Sequence, residues 1–396
     1  MINGCKSTKK TRSNQNSKGK TIVIFCSVAF FEYFCTMTLH VFNPDHDIAL
    51  ASGLSNFTAP HAGRQLRHDL GFLPAVWASD GDVVFVDDVD IAEHCWWKMV
   101  HRASKHLGLN ALNDKKIHFC DNRHLLSLQI DAVEPWGWNS ALSAALLRYG
   151  VPTSALPHAD VLSDVRILSH RNVSAAVLPH LRVPGTVGES RECHDVGSVR
   201  TAVAEWGRVV LKAPWSSSGR GLRFVDTDVY TVDSTHVSGW LQNLLNTQGS
   251  VMAEPYYNKV KDFGMEFFSD GVGGIDYCGL SLFQTRNGAY TGNVLATESV
   301  KQELLCRYLP DNLLASVRNL MCQQLGSVFK DRYRGPFGVD MMIVASDGGF
   351  LLHPCVEINL RRTMGHVALS LAPDDDDIRR VMRIDYSENT YKLHIE

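Results

Sequence analysis

Residues 208–224, RVVLKAPWSSSGRGLRF, decide how this chain is read. Residues 209–211 are a short apolar run ending in Lys212, and a second run returns at 222–225. Short apolar runs bounded by turn residues predict buried strands. Between them stand Ala213, Pro214, Trp215, the small residues Ser216, Ser217 and Ser218, then Gly219, Arg220 and Gly221. Small residues let backbone N–H groups approach phosphate oxygens, and Lys212 places a positive charge at the end of the leading strand. The Walker spacing GxxxxGK[ST] is absent, and no helical pattern starts at the second glycine. An ordinary glycine-rich hairpin turn fits the same residues, so this stretch alone leaves both readings open.

Residues 336–366, PFGVDMMIVASDGGFLLHPCVEINLRRTMGH, carry the second decisive pattern. Two β-type runs, 339–345 and 350–358, flank the turn Ser346, Asp347, Gly348, Gly349. Residues two apart on a strand share a face, so Glu357 and Asn359 point together, and a hairpin partner brings Asp340 beside them. Two carboxylates and an amide oxygen make a hard donor set suited to Mg²⁺ that also holds phosphates. Arg361, two residues further, reaches a phosphoryl group on the same face.

Five motifs in order, VVLKAPWSSSGRGL, SVMAEPYY, DFGMEFF, GVDMMIV and CVEINLRRTMG, resemble the ATP-grasp superfamily over residues 166–371. Members of that superfamily mostly join a carboxylate to an amine or similar nucleophile through an acyl phosphate. The resemblance implies an α/β (α+β) chain in which an N-terminal parallel α/β domain precedes a two-lobed ATP-grasp module. It implies ATP and one or two Mg²⁺ ions, with Mn²⁺ as a substitute. Lys212 and the loop of Ser216, Ser217, Ser218, Gly219 and Gly221 would meet the phosphates. Arg171 stands before a short helix, 173–181, where the family usually has lysine. Glu254, Tyr256 and Tyr257 lie at the hinge that offers backbone groups to the adenine edge. Glu266 matches the acid that holds the ribose, but the intervening segment 258–264 is longer than usual and includes Asp262, so the two compete. A salt bridge to Lys259 or Lys261 is the structural alternative for either acid. Asp340, Glu357 and Asn359 would bind the metal, and Arg361 would stabilise charge on the phosphoryl group. Arg362 and His366 lie just beyond and would meet substrate; a surface arginine and a core histidine are the plain alternatives.

The chain has 396 residues, 45% hydrophobic and 20% charged, a globular composition that suits two or three domains. The net charge of −3 conceals an asymmetry: residues 1–36 hold six Lys/Arg against one Glu, which leaves the remainder at −8. An acidic body argues against a nucleic-acid surface. Residues 1–36 are a basic tract followed by an apolar run, 21–35, interrupted by Glu32. That run suggests a signal peptide or short anchor, but it is short for a membrane span, and bulky residues stand where a cleavage site needs small ones. We expect translation from Met37 or a nonfunctional extension, no stable membrane association, and a cytoplasmic protein, with anchoring or export as the alternative. Ten cysteines without CxxC or metal-type spacing fit a reducing compartment. The expected divisions are an extension (1–36), an N-terminal α/β domain (37–165), the ATP-grasp module (166–372), and an acidic run with a small terminal hairpin (373–396).

In the N-terminal part, residues 39–42 predict a first strand, and Asn43, Pro44, Asp45, His46 and Asp47 a turn before a helix. Asp47 fits a helix cap. The turn also fits a ligand crevice at the carboxyl end of a parallel strand, which makes Asn43, Asp45 and Asp47 candidate substrate residues. Arg64, Arg67 and His68 read as a solvated helix face, Trp96 and Trp97 as packing, and Asn139 as an N-cap. Residues 279–284 and 290–296 predict paired strands around a tight Asn-Gly turn. The functional expectation is an ATP- and Mg-dependent ligase acting on a small-molecule carboxylate and an amine. A kinase acting on a hydroxyl, and a nucleotide-binding module without turnover, are the alternatives.

Overall fold

The computed structural model describes residues 37–216, 221–228, 231–286 and 289–396. The basic and apolar extension lies outside these residues, as do Ser217, Ser218, Gly219, Arg220 and the Asn287–Gly288 turn. The fold is mixed α/β, with one parallel sheet followed by three antiparallel sheets.

The parallel sheet holds β1 (Thr38–Val41), β2 (Val83–Phe85), β3 (His118–Cys120) and β4 (Ala132–Pro135) in the order β3-β2-β1-β4. Its connections include helices α1 (His46–Ser52), α2 (His61–Leu70) and α3 (Val89–Leu107), and α4 (Ser140–Arg148) follows the last strand. Leu39, Val41, Val83 and Val84 are buried, as expected for a parallel sheet covered on both faces. Helix α3 starts where Asp88 accepts the Ile91 amide at 3.0 Å, and stops at Gly108, whose φ of 72° only glycine adopts freely. The Asn139 side chain caps α4 from the Leu142 amide at 2.9 Å. Strand order reverses between β1 and β4, and the carboxyl ends of strands at such a reversal are where open α/β sheets commonly bind ligands.

After α5 (Ala159–Leu168) and α6 (Arg171–Val177), a second sheet runs β5-β8-β6-β7, from β5 (Arg191–Cys193), β6 (Val209–Lys212), β7 (Leu222–Val225) and β8 (Val251–Pro255). The hairpin read from the sequence is β6 on β7, with Lys212 opposite Leu222. Helices α7 (Val196–Trp206) and α8 (Thr235–Gln248) pack Val199, Ala202, Leu241 and Leu244 on Val209, Leu211, Val251 and Ala253. Alternation then sends Lys212 and Glu254 to the other face.

The third sheet runs β10-β9-β13-β14, from β9 (Lys259–Ser269), β10 (Ile275–Ser281), β13 (Gly335–Ser346) and β14 (Gly349–Asn359). Phe263, Met265, Phe267, Phe337, Val339 and Met341 share an apolar cluster with Val317, Met321, Leu325 and Phe329 of α10 (Asp311–Phe329). Residues 258–264, expected as a connecting segment, are mostly strand. The strand extends back from Phe263 across Lys261 and Lys259, which pair with Ile343 and Val344 of β13.

A fourth sheet runs β11-β12-β15-β16, from β11 (Phe283–Arg286), β12 (Ala289–Leu295), β15 (Arg380–Ser387) and β16 (Thr390–Ile395). The run 279–284, expected to be one strand, is divided between two sheets. Ser281 ends β10 opposite Gly264 of β9, Leu282 is buried, and Phe283 opens β11. The terminal hairpin forms where expected but does not stand apart. Met382 pairs with Asn293 of β12, the Tyr391 amide donates to Asp69 at 2.7 Å, and Leu393 and Ile395 join the apolar cluster of Phe72, Trp96 and Val100. The remaining helices are α9 (Glu298–Cys306) and α11 (Met364–Ser370). Trp96 is buried while Trp97 is exposed. Among the described residues, no helix is long and apolar enough to cross a membrane, and the seven cysteines are free thiols.

Candidate nucleotide and metal site

The face of the third sheet turned away from α10 carries the acids. Asp340 stands opposite Glu357 on β14 and opposite Gly264 on β9; one ladder step along, Gly338 stands between Asn359 and Glu266. Burial, then the Glu357 and Glu266 carboxylates, push the Asp340 carboxyl up to about 8. Asn359 and Arg361 act in the opposite sense. Among the described residues, no three His, Cys, Asp or Glu side chains stand at metal-holding distance. The hard donors are instead two facing carboxylates and the Asn359 amide oxygen. Two guanidinium groups balance them: Arg171 Nη2 donates to Glu357 Oε1 at 2.6 Å, and Arg361 Nη2 to Asn359 Oδ1 at 2.9 Å. A half-buried carboxyl raised by desolvation and by two neighbouring acids marks a face that a cation would stabilise, so this donor set fits Mg²⁺.

Lys212 Nζ lies 2.5 Å from Glu254 Oε2, with both side chains nine-tenths buried. The lysine expected at the phosphates and the acid expected at the hinge are thus one buried pair. Arg171, expected just ahead of a helix, is the first residue of α6; His170 caps that helix by accepting the Asn172 amide at 3.0 Å. Arg171 Nη1 donates to the Ala213 carbonyl and to Ser216 Oγ, the latter at 2.8 Å, and Nη2 reaches the Ser216 carbonyl at 3.2 Å as well as Glu357. One guanidinium therefore ties the root of the 213–221 loop to the acid face. A Cβ on Gly221 would fall 2.3 Å from Ser216 Oγ, so the close approach of Gly221 to Ser216 requires glycine.

At the hinge, the Tyr256 amide is already taken by the Arg208 carbonyl at 2.8 Å, and its ring packs under the Arg208 guanidinium. The Tyr257 ring meets the edge of His353, which no sequence pattern singles out. His353 is 1% exposed and neither ring nitrogen has a hydrogen-bond partner. Burial, then the Lys212 charge, pull it down to about 3. Burial likewise pulls His46 down to about 4. Both folded values lie below the ordinary 6.5, so both groups support stability above about pH 6.5 and withdraw it as pH falls through that value. His353→Phe should flatten the decline in melting temperature between pH 6.5 and 4, by up to about 1.4 kcal/mol per pH unit for one proton. Comparing variant with parent cancels the other groups, including Asp340, whose raised pKa acts oppositely. Parallel melting curves at all pH values would overturn this.

Asp262 Oδ2 takes Lys259 at 2.6 Å and the Thr285 hydroxyl at 2.7 Å. Glu266 is buried under two glycines: Cβ atoms on Gly338 and Gly365 would fall 2.5 Å and 1.8 Å from its oxygens. His366 Nδ1 lies 3.0 Å from Glu266 Oε2 but accepts the Thr363 amide at 3.1 Å, so this contact is no hydrogen bond and Oε2 keeps no hydrogen-bond partner. His366 is a buried helix-start residue, in a capping box with Thr363.

From the N-terminal crevice, Asn43 donates to the Gly137 carbonyl at 2.9 Å and accepts its amide, clamping the loop after β1 to the loop after β4. Asp45 flanks α1 without capping it, and its buried Oδ1 is unpartnered. Asp47, expected as a cap or a substrate residue, does not cap α1: it holds Arg361 through Nε at 3.1 Å and Nη2 at 2.9 Å. Arg362 lies over Trp77 and donates to Glu134 at 3.2 Å, so it is not a free surface arginine. Arg64, Arg67 and His68 line a shallow cavity of about 320 Å³, with Arg67 committed to Asp87 at 3.1 Å.

No family model and no curated protein matches this chain. Solved structures do. The biotin carboxylase domain of Hydrogenobacter thermophilus 2-oxoglutarate carboxylase, in complex with MgADP, ADP and bicarbonate, is 14% identical at a TM-score of 0.49, over 89% of this chain and 75% of that one. The N5-carboxyaminoimidazole synthetase of Staphylococcus aureus, complexed with ADP, is 12% identical at 0.46, over 89% and 83%. A RimK domain ATP-grasp protein of Sphaerobacter thermophilus is 15% identical at 0.40, over 74% and 97%. The chain resembles ATP-grasp proteins.

Proposed function

We propose that this chain is an ATP-dependent ligase of the ATP-grasp kind, joining a small-molecule carboxylate to an amine through an acyl phosphate. The observation that carries the reading is Arg171, whose guanidinium bonds the phosphate-loop root at Ala213 and Ser216 and the acid face at Glu357 at once. Nucleotide phosphates would lie between those two surfaces. Lys212 and the 216–221 loop, its middle outside the described residues, would neutralise and cover them. Asp340, Glu357 and Asn359 would hold Mg²⁺, which when bound would neutralise phosphate charge. Arg361 would face the transferred phosphoryl group.

The strand register favours Asp262 over Glu266 for the ribose. Asp262 stands level with Met342, on the hinge side of Asp340, whereas Glu266 stands beyond Asp340, on the side away from the hinge. Tyr256 and Tyr257 would flank the base, and Glu254 would orient Lys212. Glu266, Arg362 and the Asp45 loop would face the acid and the amine. The free thiols suit a reducing compartment, in line with a cytoplasmic protein.

Panels of carboxylates and amines, assayed for ADP and free phosphate, test the reading. ADP and phosphate that appear only when both partners are present support it. Phosphate left on a hydroxyl acceptor, or no nucleotide binding at all, would overturn it.

A further inference from the structure

The loop NPDHD at residues 43–47 ends in Asp47, to which the proposed reaction gives no role of its own. Its last residue reaches across the fold. Asp47 lies in the first turn of α1, and Arg361 follows β14, 314 positions later. Arg361 Nε is 3.1 Å from both Asp47 oxygens, and Nη2 is 2.9 Å from Oδ2. The same Nη2 donates to Asn359 Oδ1 at 2.9 Å, and Nη1 donates to the Arg362 carbonyl at 3.1 Å. Both charged side chains are only 15% exposed. A planar guanidinium gripped in a fork by a carboxylate has little rotational freedom left, unlike an arginine on a surface.

From this geometry we infer that Asp47 is the positioning residue of Arg361. It fixes the guanidinium beside Asn359, so that the N-terminal unit completes the phosphoryl site. The inference rests on the proposed ATP-binding reading, and only its roles for Arg361 and Asn359 are used. The electrostatics agree. Burial works against both charges, but each partner together with the charges around the pair overcomes it, holding Asp47 below the usual carboxylate range and Arg361 firmly charged. The groups facing the pair are His46 on α1, Arg171 from α6, and Glu357 and Asp340 from the acid face.

Calorimetric titration of Mg·ATP and Mg·ADP into the full chain tests this without knowing the substrate. Arg361→Gln should weaken ATP about tenfold while changing ADP little, because Arg361 faces the terminal phosphoryl group. Asp47→Ala should reproduce that selective loss, and Asp47→Asn, which keeps an acceptor, should recover part of it. The double variant Asp47→Ala/Arg361→Gln should lose no more than Arg361→Gln alone. If Arg361→Gln shows the selective loss but Asp47→Ala weakens both nucleotides equally, with a lower melting temperature, Asp47 is a structural pair and the inference fails. If Asp47→Ala tightens ATP, Asp47 holds Arg361 away from the site, and the inference fails as well. Absence of ATP binding in the parent protein would instead remove the ligase reading itself.

Discussion

Asp340→Asn is expected to abolish Mg²⁺-dependent ADP release, by at least about a hundredfold, while leaving the protein as stable as before or more so. The two halves of this expectation have one cause. Asp340 is a half-buried carboxyl opposite Glu357, and desolvation with the neighbouring acids raises its pKa to about 8. Without a cation, the carboxyl is mostly protonated at neutral pH and its charge would cost the fold, so the neutral amide replaces it at little or no loss. With a cation, that charge is what holds the metal and offsets the phosphates; bound metal contributes several kcal/mol of charge stabilisation to phosphoryl transfer, which is the stated loss in rate. Glu357→Gln should lose activity similarly but melt lower, because Arg171 then faces an uncharged acceptor. The check needs no substrate at first: ATP should raise the parent's melting temperature more with Mg²⁺ than without it, and Asp340→Asn should erase the difference. A variant that keeps the Mg²⁺-dependent increment removes these residues from the metal site.

Lys212→Met is expected to harm stability and ATP binding together, and a second substitution should separate the two. Lys212 and Glu254 form a buried pair at 2.5 Å. Removing one partner leaves the other charge unpaired in the interior, which costs on the order of 3–5 kcal/mol. Lys212→Met/Glu254→Gln should regain most of that stability, because no unpaired charge remains. It should not regain ATP affinity, because the lysine that meets the phosphates is still missing. A charge-assisted contact contributes roughly 1.5–3 kcal/mol, about tenfold to a hundredfold in affinity. Adenosine, which carries no phosphate, should bind the double variant about as well as the parent. Calorimetry with both ligands and thermal melts of all three proteins decide it. Equal losses for ATP and adenosine in the double variant would make Lys212 a structural residue only.

The sequence by itself determined what strand periodicity and turn chemistry control. The hairpin around Lys212, the pairing of Asp340 with the Glu357–Asn359 end of the next strand, the Asn139 cap and the terminal hairpin were all legible, because each is set within a few residues of chain. Tertiary structure alone decided the partnerships. Nothing local shows that Asp47 serves Arg361, that Glu254 is matched to Lys212, or that Arg171 spans from Ser216 to Glu357, since each joins side chains brought together only when sheets and helices pack. The competition between Asp262 and Glu266 could not be resolved by motif, because both lie on one face of one strand; the ladder to Met342 and Gly338 ranks them along the cleft. His353 left no sequence signal at all. An isolated histidine in an apolar strand reads as core, and only the packing of Tyr257 and the close approach of Gly188 show both its nitrogens enclosed without hydrogen-bond partners. Local periodicity fixes which way a side chain faces, whereas the group it faces is a property of long-range packing.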